Sequence, residues 1–221
     1  MPLTRRFTLT LATMAVITAA GCELIDAPTD PTPSGLDDAI TALTVSDEER
    51  DGYQRESFSD WRDPDGNGCD TRQEVLIAEE LTESATVTDC DGTIPGEWLS
   101  VYDGERVTDA SELDIDHFVP LAEAWDSGAS EWTEERRVDY ATYVDDDRHL
   151  VAVTASSNRS KGDKDPAEWM PPDSSTHCEY IATWVAIKTQ WELTVDKAEL
   201  DAIREFAADC SGTEVTITPI D

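Results

Sequence analysis

Apolar positions recur along the chain with two periods, one typical of amphipathic helices and one typical of strands. Helical spacing, with apolar residues three or four positions apart, occurs in six segments: residues 36–45, 71–81, 121–125, 133–144, 180–191 and 195–208. Short apolar runs predict strands at four places: residues 86–90, 98–102, 113–119 and 149–154. The pattern therefore predicts an α+β domain in which helices predominate.

Two of the predicted strands end in polar residues and are followed by helix signals. The strand at residues 113–119 ends at Pro120, a residue that suits the start of the next helix. The strand at residues 149–154 runs directly into a polar segment that begins a helix near Ser156. The local order is therefore strand, connection, strand and helix.

The N-terminal segment has the pattern of an export signal. Arg5 and Arg6 precede an apolar run that is shorter than the roughly 20 residues needed to cross a bilayer. We therefore expect residues 1–21 to be a signal peptide. Residues 22–35 are rich in Pro, Thr and Asp and predict a disordered linker, which leaves residues 36–221 as a single folded domain.

The end of the signal resembles a lipobox, because small residues lead directly to Cys22. Lipidation of Cys22 would anchor the protein to the outer face of the cell membrane. The paired arginines also resemble a twin-arginine signal, and plain secretion with an incidental Cys22 is the alternative. In each case the mature protein works outside the cytoplasm.

Four cysteines remain once Cys22 is set aside, which suits an oxidising compartment and allows three pairings. We expect pairing between sequence neighbours, which joins Cys69 to Cys90 and Cys178 to Cys210. Each bridge would stabilise the fold by restricting the unfolded chain. A zinc site is the rival interpretation, but the chain has no C-x-x-C pair.

The formal net charge is −33, from 16 basic and 49 acidic residues. Such a surface repels nucleic acid at low salt and is typical of a halophilic protein, since about 1 M salt screens charges beyond roughly 3 Å. A nucleic-acid substrate would need a locally basic patch. Six basic residues lie close together in the sequence: Arg136, Arg137, Arg148, Arg159, Lys161 and Lys164.

The residues around the two polar strand ends suggest metal-dependent phosphodiester hydrolysis. Asp116 is a hard oxygen ligand for a divalent cation, and its neighbour His117 titrates near neutrality and can accept a proton from water. Asn158 offers a neutral amide oxygen as a further ligand. Arg159, Lys161 and Lys164 follow it and could bind phosphate.

Each of these residues also has a structural interpretation. The Asp116–His117 pair could be a hydrogen bond at a strand end, and Asn158 could cap a helix. The basic residues could be ion-pair partners on an acidic surface. Arg72 could reach phosphate, with a structural salt bridge as the alternative.

The motifs together resemble the extracellular HNH endonuclease family, which contains a ββα-metal (His-Me) finger. The resemblance is carried by DIDHFVPLAEAW and RHLVAVTASSNRSKGDKDPAEWMP. It implies that His117 is the general base, that Asp116 and Asn158 hold one Mg²⁺ or Mn²⁺ ion, and that residues 113–161 form the finger. It also implies hydrolysis of DNA, or of DNA and RNA, that leaves a 3′-hydroxyl and a 5′-phosphate.

One position departs from the family pattern. The middle asparagine, which orients the base, is replaced by His149. This histidine could orient His117, join the metal site or face solvent.

We therefore expect a secreted, monomeric, metal-dependent HNH endonuclease, in which the finger is embedded in a mainly helical domain held by disulfides. The alternative is a catalytically inactive lipoprotein that keeps the HNH fold for binding. A lipoprotein whose acidic surface binds cations or a partner protein, with no chemistry, is a further alternative.

Overall fold

The computed structural model describes residues 32–58, 63, 66–84, 90, 93–218 and 220. The predicted signal peptide, Cys22, most of the predicted linker and most of the strand predicted at residues 86–90 lie outside these residues. In the described part, helices and short strands form a mixed domain. Each helix there is too short or too polar to cross a bilayer.

The described residues contain seven α-helices. They are α1 (Leu36–Ala42), α2 (Thr71–Ala78), α3 (Leu121–Asp126), α4 (Glu134–Ala141), α5 (Ala155–Lys161), α6 (His177–Gln190) and α7 (Lys197–Ala207). Each was predicted from helical spacing or from a helix-start signal, with ends that differ by a few residues. Short 3-10 helices occur at Arg55–Phe58, Ala110–Glu112, Ala129–Glu131 and Ser174–Thr176.

Six strands pair two by two in antiparallel fashion. They are β1 (Thr32–Gly35) with β6 (Glu214–Ile217), β2 (Trp98–Leu99) with β3 (Arg106–Val107), and β4 (Leu113–His117) with β5 (Leu150–Thr154). The strand β1 was not predicted, because its residues were assigned to the linker. Backbone pairing with β6 orders these four residues.

Two predicted elements are shorter in the structure. The helix α2 ends at Ala78, and Leu81, the last residue of the predicted helix, is 49% exposed. The strand predicted at residues 98–102 ends at Leu99, because the chain turns back at Gly104, whose φ of 68° lies in the left-handed region. This turn carries Tyr102 away from the sheet and into the core.

The hairpin of β4 and β5 separates two hydrophobic clusters. One face of the hairpin packs against α2 and the β2 segment, with Leu76, Trp98 and Ile115 among the buried residues. The other face adds Val151 and Val153 to a larger cluster built around α6. Since both faces are covered, Asp116 and His117 are largely withdrawn from bulk water.

Both predicted disulfide pairs are present. Cys69 is bonded to Cys90, and Cys178 at the start of α6 is bonded to Cys210 after α7. The first bridge lies beside Asp70, which caps α2 by accepting a hydrogen bond from the backbone of Gln73. The second ties the two C-terminal helices together.

A buried lysine joins α3, α6 and α7. The Lys188 ammonium is fully buried and donates hydrogen bonds to Glu123 (2.5 Å), Glu199 (3.2 Å) and the Ser127 hydroxyl (2.6 Å). Although burial opposes its charge, the two glutamates raise the pKa of Lys188. Burial also raises the pKa of Glu199 to about 7, against the opposing effect of Lys188.

Replacing this lysine should destabilise the domain strongly. We expect Lys188→Met to lower the free energy of unfolding by about 3–5 kcal/mol, because it leaves two buried carboxyl groups without a cation. Urea unfolding followed by tryptophan fluorescence measures the change. The matched control is Lys197→Met, since Lys197 pairs with Asp201 on the surface and is 83% exposed. Equal unfolding midpoints for the two variants would contradict the expectation.

Candidate active site

The strand β4 presents its side chains alternately to its two faces. Asp114 and Asp116 point to the face that α5 covers, where they meet Asn158 and Lys161. His117 is the last residue of β4 and points to the opposite face, toward the end of α4. The acidic residues and the imidazole therefore lie on two sides of one strand end.

Asp116 is held by a buried ion pair. Its Oδ2 accepts hydrogen bonds from the Lys161 ammonium (2.6 Å) and from the Tyr102 hydroxyl (2.8 Å). Lys161 is fully buried and also donates to the backbone oxygen of His117 at 3.0 Å. The prediction that Lys161 binds phosphate is therefore corrected, because its side chain has no exposed surface and serves to join α5 to β4.

The turn after β2, residues 100–104, fixes the start of α5. The Ser100 hydroxyl accepts a hydrogen bond from the backbone N–H of Thr154 at 3.1 Å. The Asp103 carboxylate accepts from the hydroxyls of Ser157 (2.6 Å) and Thr154. Although partial burial opposes it, these hydrogen bonds lower the pKa of Asp103.

Asp114 and Asn158 form the second polar contact between β4 and α5. The amide nitrogen of Asn158 donates to Asp114 Oδ2 at 3.1 Å, and both residues are only partly buried. Asn158 does not cap the helix, because Thr154 accepts the capping hydrogen bond from Ser157. The structure therefore pairs Asn158 with Asp114, whereas the sequence predicted Asp116 as its partner.

The two histidines bind neighbouring carbonyl oxygens at the end of α4. His117 Nε2 lies 2.9 Å from the oxygen of Ala141, and His149 Nε2 lies 2.7 Å from the oxygen of Tyr140. A carbonyl oxygen only accepts hydrogen bonds, so Nε2 of each neutral ring carries the proton and Nδ1 carries the lone pair. His149 is 1% exposed, which excludes the interpretation that it faces solvent.

The histidine rings pack edge to face, with centroids 6.4 Å apart. Burial, followed by the proximity of His149, lowers the pKa of His117 to about 3. Burial likewise lowers the pKa of His149 to about 4. Both rings are therefore neutral at pH 7, the state in which an imidazole can accept a proton.

The residue types and the spacing at Asp114 and Asn158 suit a hard divalent cation. Two neighbouring oxygen ligands of an octahedral Mg²⁺ lie about 3 Å apart, close to the 3.1 Å between Asp114 Oδ2 and the Asn158 amide. Rotation of the amide by half a turn would present its oxygen in place of its nitrogen. Asp116 lies on the same face two residues along the strand.

A second group of carboxylates lies around Glu48. Its ligand atoms lie within 4.8 Å of those of Asp165 and Asp196, and also of those of Glu123 and Asp126. Burial, followed by repulsion from Glu123 and Asp196, raises the pKa of Glu48 to about 7. The five residues of this group all offer carboxylates, and any measurement of metal binding must be able to separate it from the pair at Asp114.

Residues 70–206 match the family described as "GmrSD restriction endonucleases, C-terminal domain". The chain belongs to this family. Among curated proteins, a relative from Arthroderma benhamiae named "Uncharacterized secreted protein" is 38% identical over 204 residues, which cover 89% of this chain and 98% of the relative. No solved structure matches the chain.

Membership of the GmrSD C-terminal domain family agrees with the expected assignment to a nuclease family. The matched range begins at the cap of α2 and ends in α7, so it includes both histidines, both aspartates of β4 and Asn158. The candidate site therefore lies entirely within the part of the chain that carries the family likeness.

The basic residues of this GmrSD-type domain do not form one patch. Three of the six that cluster in the sequence are paired with carboxylates: Arg136 with Glu192, Arg148 with Asp146, and Lys161 with Asp116. Arg137 donates to three backbone oxygens. Arg159 and Lys164 are exposed and form no ion pair with another described residue.

Arg72, the remaining candidate for phosphate binding, has a structural role. Its Nη2 donates to the backbone oxygens of Ala110 and Leu113, each at 2.9 Å. It thereby joins α2 to the start of β4 through carbonyl groups, and the predicted alternative of a salt bridge is not the contact observed.

Sequence reasoning missed Tyr102, Asp103 and Asp114 as parts of the site. The D-x-D spacing at residues 114–116 was available as a signal, since alternate residues of a strand share a face. Tyr102 and Asp103 carried no comparable signal, because their partners Asp116 and Ser157 lie 14 and 54 residues further along the chain.

Removing the Tyr102 hydroxyl should weaken the support of Asp116. We expect Tyr102→Phe to lower the free energy of unfolding by about 1–2 kcal/mol, because a buried carboxylate loses one of its donors. Tyr53→Phe is the matched control, since the Tyr53 hydroxyl bonds to no other described residue. Chemical denaturation measures both variants, and an equally small change in each would show that the hydrogen bond is dispensable.

Proposed function

We propose that this protein is a secreted, metal-dependent HNH endonuclease that hydrolyses phosphodiester bonds in DNA. The observation that carries the proposal is the strand–strand–helix unit of β4, β5 and α5. In this unit Asp114, Asp116 and Asn158 share one face of the hairpin, and His117 lies at the end of β4 on the opposite face. We infer that this unit is a ββα-metal finger.

In this proposal His117 is the general base. The Ala141 oxygen holds the ring by its Nε2 proton, so the lone pair on Nδ1 accepts a proton from the attacking water. His149 acts as a positioning residue, because its ring packs edge-on against His117 and is itself held by the Tyr140 oxygen. The backbone carbonyls at the end of α4 thus orient the His117 ring, a role that an asparagine has in the HNH pattern.

The metal would be held by Asn158 with Asp114 or Asp116. A bound Mg²⁺ or Mn²⁺ would supply positive charge to the scissile phosphate and the leaving oxygen. Asp116 is fixed by Lys161 and Tyr102 through Oδ2, so the more exposed Asp114 is the first candidate for the ligand that pairs with Asn158.

Arg159 and Lys164 are the basic residues best placed to meet the substrate backbone. Arg159 belongs to α5 and Lys164 follows it directly, and both are exposed. With 49 acidic residues in the chain, the remaining surface repels DNA at low salt. Cleavage is therefore expected to need salt as well as a divalent cation.

The proposed location is extracellular. It rests on the signal-like N-terminal segment, on the two disulfides and on the relative whose name describes a secreted protein. A lipid anchor at Cys22 remains a prediction from the sequence.

The nuclease assignment is tested by plasmid nicking in high salt with Mg²⁺ or Mn²⁺. We expect the wild type to nick and His117→Ala to lose at least about 10²-fold in rate, because general-base catalysis contributes about that much or more. His177→Ala is the matched control, since this third histidine of the chain bonds to Pro171 and is not part of the site.

Failure of the folded wild type to cleave with either ion at any salt concentration would eliminate the enzyme and favour an inactive binding protein. The same assay on His149→Asn tests the positioning role. A variant with normal kcat and an unchanged pH profile would show that His149 does not act through His117.

The choice of metal ligands is tested by Mn²⁺ titration. We expect Asn158→Ala and Asp114→Asn each to weaken Mn²⁺ binding at least tenfold, because each removes one of a small number of hard ligands. Glu48→Gln controls for the separate carboxylate group and should leave this binding step unchanged. If Asp116→Asn weakens binding and Asp114→Asn does not, Asp116 is the ligand.

A further inference from the structure

A cavity lies on the free edge of β5, next to the candidate active site, with which it shares Tyr102. It has a volume of about 460 Å³ and is bounded by the end of α2, the turn after β2 and the first half of α6. This volume falls within the usual range for small-molecule sites, roughly 300–1,000 Å³. Tyr102, whose hydroxyl bonds Asp116, forms part of its wall.

The cavity is lined by exposed apolar side chains. Six large hydrophobic residues are exposed in the described part of the chain, and three of them lie here: Leu81 (49%), Leu99 (40%) and Val101 (40%). Such a concentration on an acidic protein is typical of a binding site. Phe118 and Tyr180, with ring centroids 4.9 Å apart, contribute aromatic surface.

A buried hydroxyl in the wall has no hydrogen bond to any other described residue. Tyr180 is 3% exposed, and its Oη finds no such partner among its ring neighbours Tyr102, Phe118, Trp169 and Trp184. Buried polar groups are normally satisfied by the protein, by water or by a ligand. The Oη itself has almost no accessible surface, so a molecule in the cavity meets the ring of Tyr180 and not its hydroxyl.

A carboxyl group in the same wall has no cationic partner among the described residues. The two oxygens of Glu79 share one donor, the backbone N–H of Ala152, at 3.2 and 3.1 Å. Burial, with a smaller contribution from Asp147, raises the pKa of Glu79 to about 8. A nearby cation would favour its ionised form.

The charged residues that line the cavity with Glu79 favour a cation. Although burial opposes the charge of Glu80, which follows α2, the hydrogen bonds that its carboxylate accepts lower its pKa to about 2. Asp147 and Glu179 contribute two more carboxylates from the chain before β5 and from α6. Arg148 is the single basic lining residue, and it is paired with Asp146 at 2.6 Å.

We propose that this cavity binds a small organic ammonium ion with an apolar body. The ammonium group donates a hydrogen bond to the Glu79 carboxylate. The apolar body packs against Leu99, Val101 and Phe118. The aromatic faces of Phe118 and Tyr180 add a cation–π attraction.

Binding should be linked to the ionisation of Glu79. A protonated Glu79 must lose its proton to become the counter-ion, so affinity should rise as the pH increases from 6 to 8.5. Glu80, Asp147 and Glu179 add negative charge, and Arg148 opposes it. Calorimetry at pH 7 in two buffers of different ionisation enthalpy should therefore detect release of a proton.

The test uses 2-phenylethylammonium chloride as the probe and 2-phenylethanol as its neutral counterpart. Titrations are done in about 1 M KCl, where the general acidic surface is screened beyond roughly 3 Å. We expect one ammonium ion to bind per protein, at least tenfold more tightly than the alcohol. Glu79→Gln should weaken ammonium binding at least tenfold, whereas Glu192→Gln, on the distant surface, should not change it.

Val101→Lys provides a second variant if Glu79→Gln does not fold, and it should weaken ammonium binding at least tenfold, because it adds a like charge to the exposed wall of the cavity. Absence of ammonium binding to the folded wild type would overturn the proposal. Equal affinity for the ammonium ion and the alcohol, or binding that is insensitive to both substitutions, would overturn it as well. Nuclease activity is not needed for any of these measurements.

Discussion

The buried ion pair between Lys161 and Asp116 is the contact on which the candidate site depends. It joins the last residue of α5 to the strand β4, and the same ammonium group holds the backbone oxygen of His117. The carboxylate is further fixed by Tyr102, from a turn that also anchors the start of α5. Strand, helix and turn are thus aligned by one network, which sets where Asp114, Asn158 and His117 lie.

Burying the charges of Asp116 and Lys161 costs free energy, which packing elsewhere in the domain must offset. Burial raises the pKa of Asp116 and lowers that of Lys161, and the attraction between the two groups opposes both shifts. Removing one partner of a buried ion pair leaves an unpaired buried charge. This destabilises a protein far more than replacing both partners with apolar residues. The arrangement therefore favours a single register of α5 on β4, which is what a site with a few fixed ligands requires.

The sequence predicted the helices and the central hairpin well, because their spacing and turn signals are local. It could not predict β1, since the strand forms only by pairing with residues 214–217 at the other end of the chain. It placed His117 and Asn158 in adjacent elements but chose Asp116 over Asp114 as the partner of Asn158. The sequence could not predict that Lys161 pairs with Asp116, because a lysine on a short polar helix gives no sign that its side chain is buried.

Several basic side chains are buried or bonded to the backbone, so few cations are left on the surface of the domain. Lys161 and Lys188 are fully buried. The guanidinium groups of Arg72 and Arg137 donate hydrogen bonds to backbone oxygens. Seven acidic residues of the described part are buried as well, so the surface stays strongly acidic, in keeping with the formal charge of −33. A polyanion can approach such a protein only where the field is locally weakened, which makes the few exposed cations near α5 important for access.

The pairing of β1 with β6 has a mechanical consequence. Residues 32–35 are the first described residues of the domain, and their partner strand follows Cys210, which is covalently joined to α6. A pull on the chain ahead of Thr32 would therefore be transmitted through a strand pair to a cross-linked helix rather than to the hairpin of the candidate site. An attachment at that end, whether to a surface or to another domain, could bear load while leaving the β4–α5 geometry undisturbed.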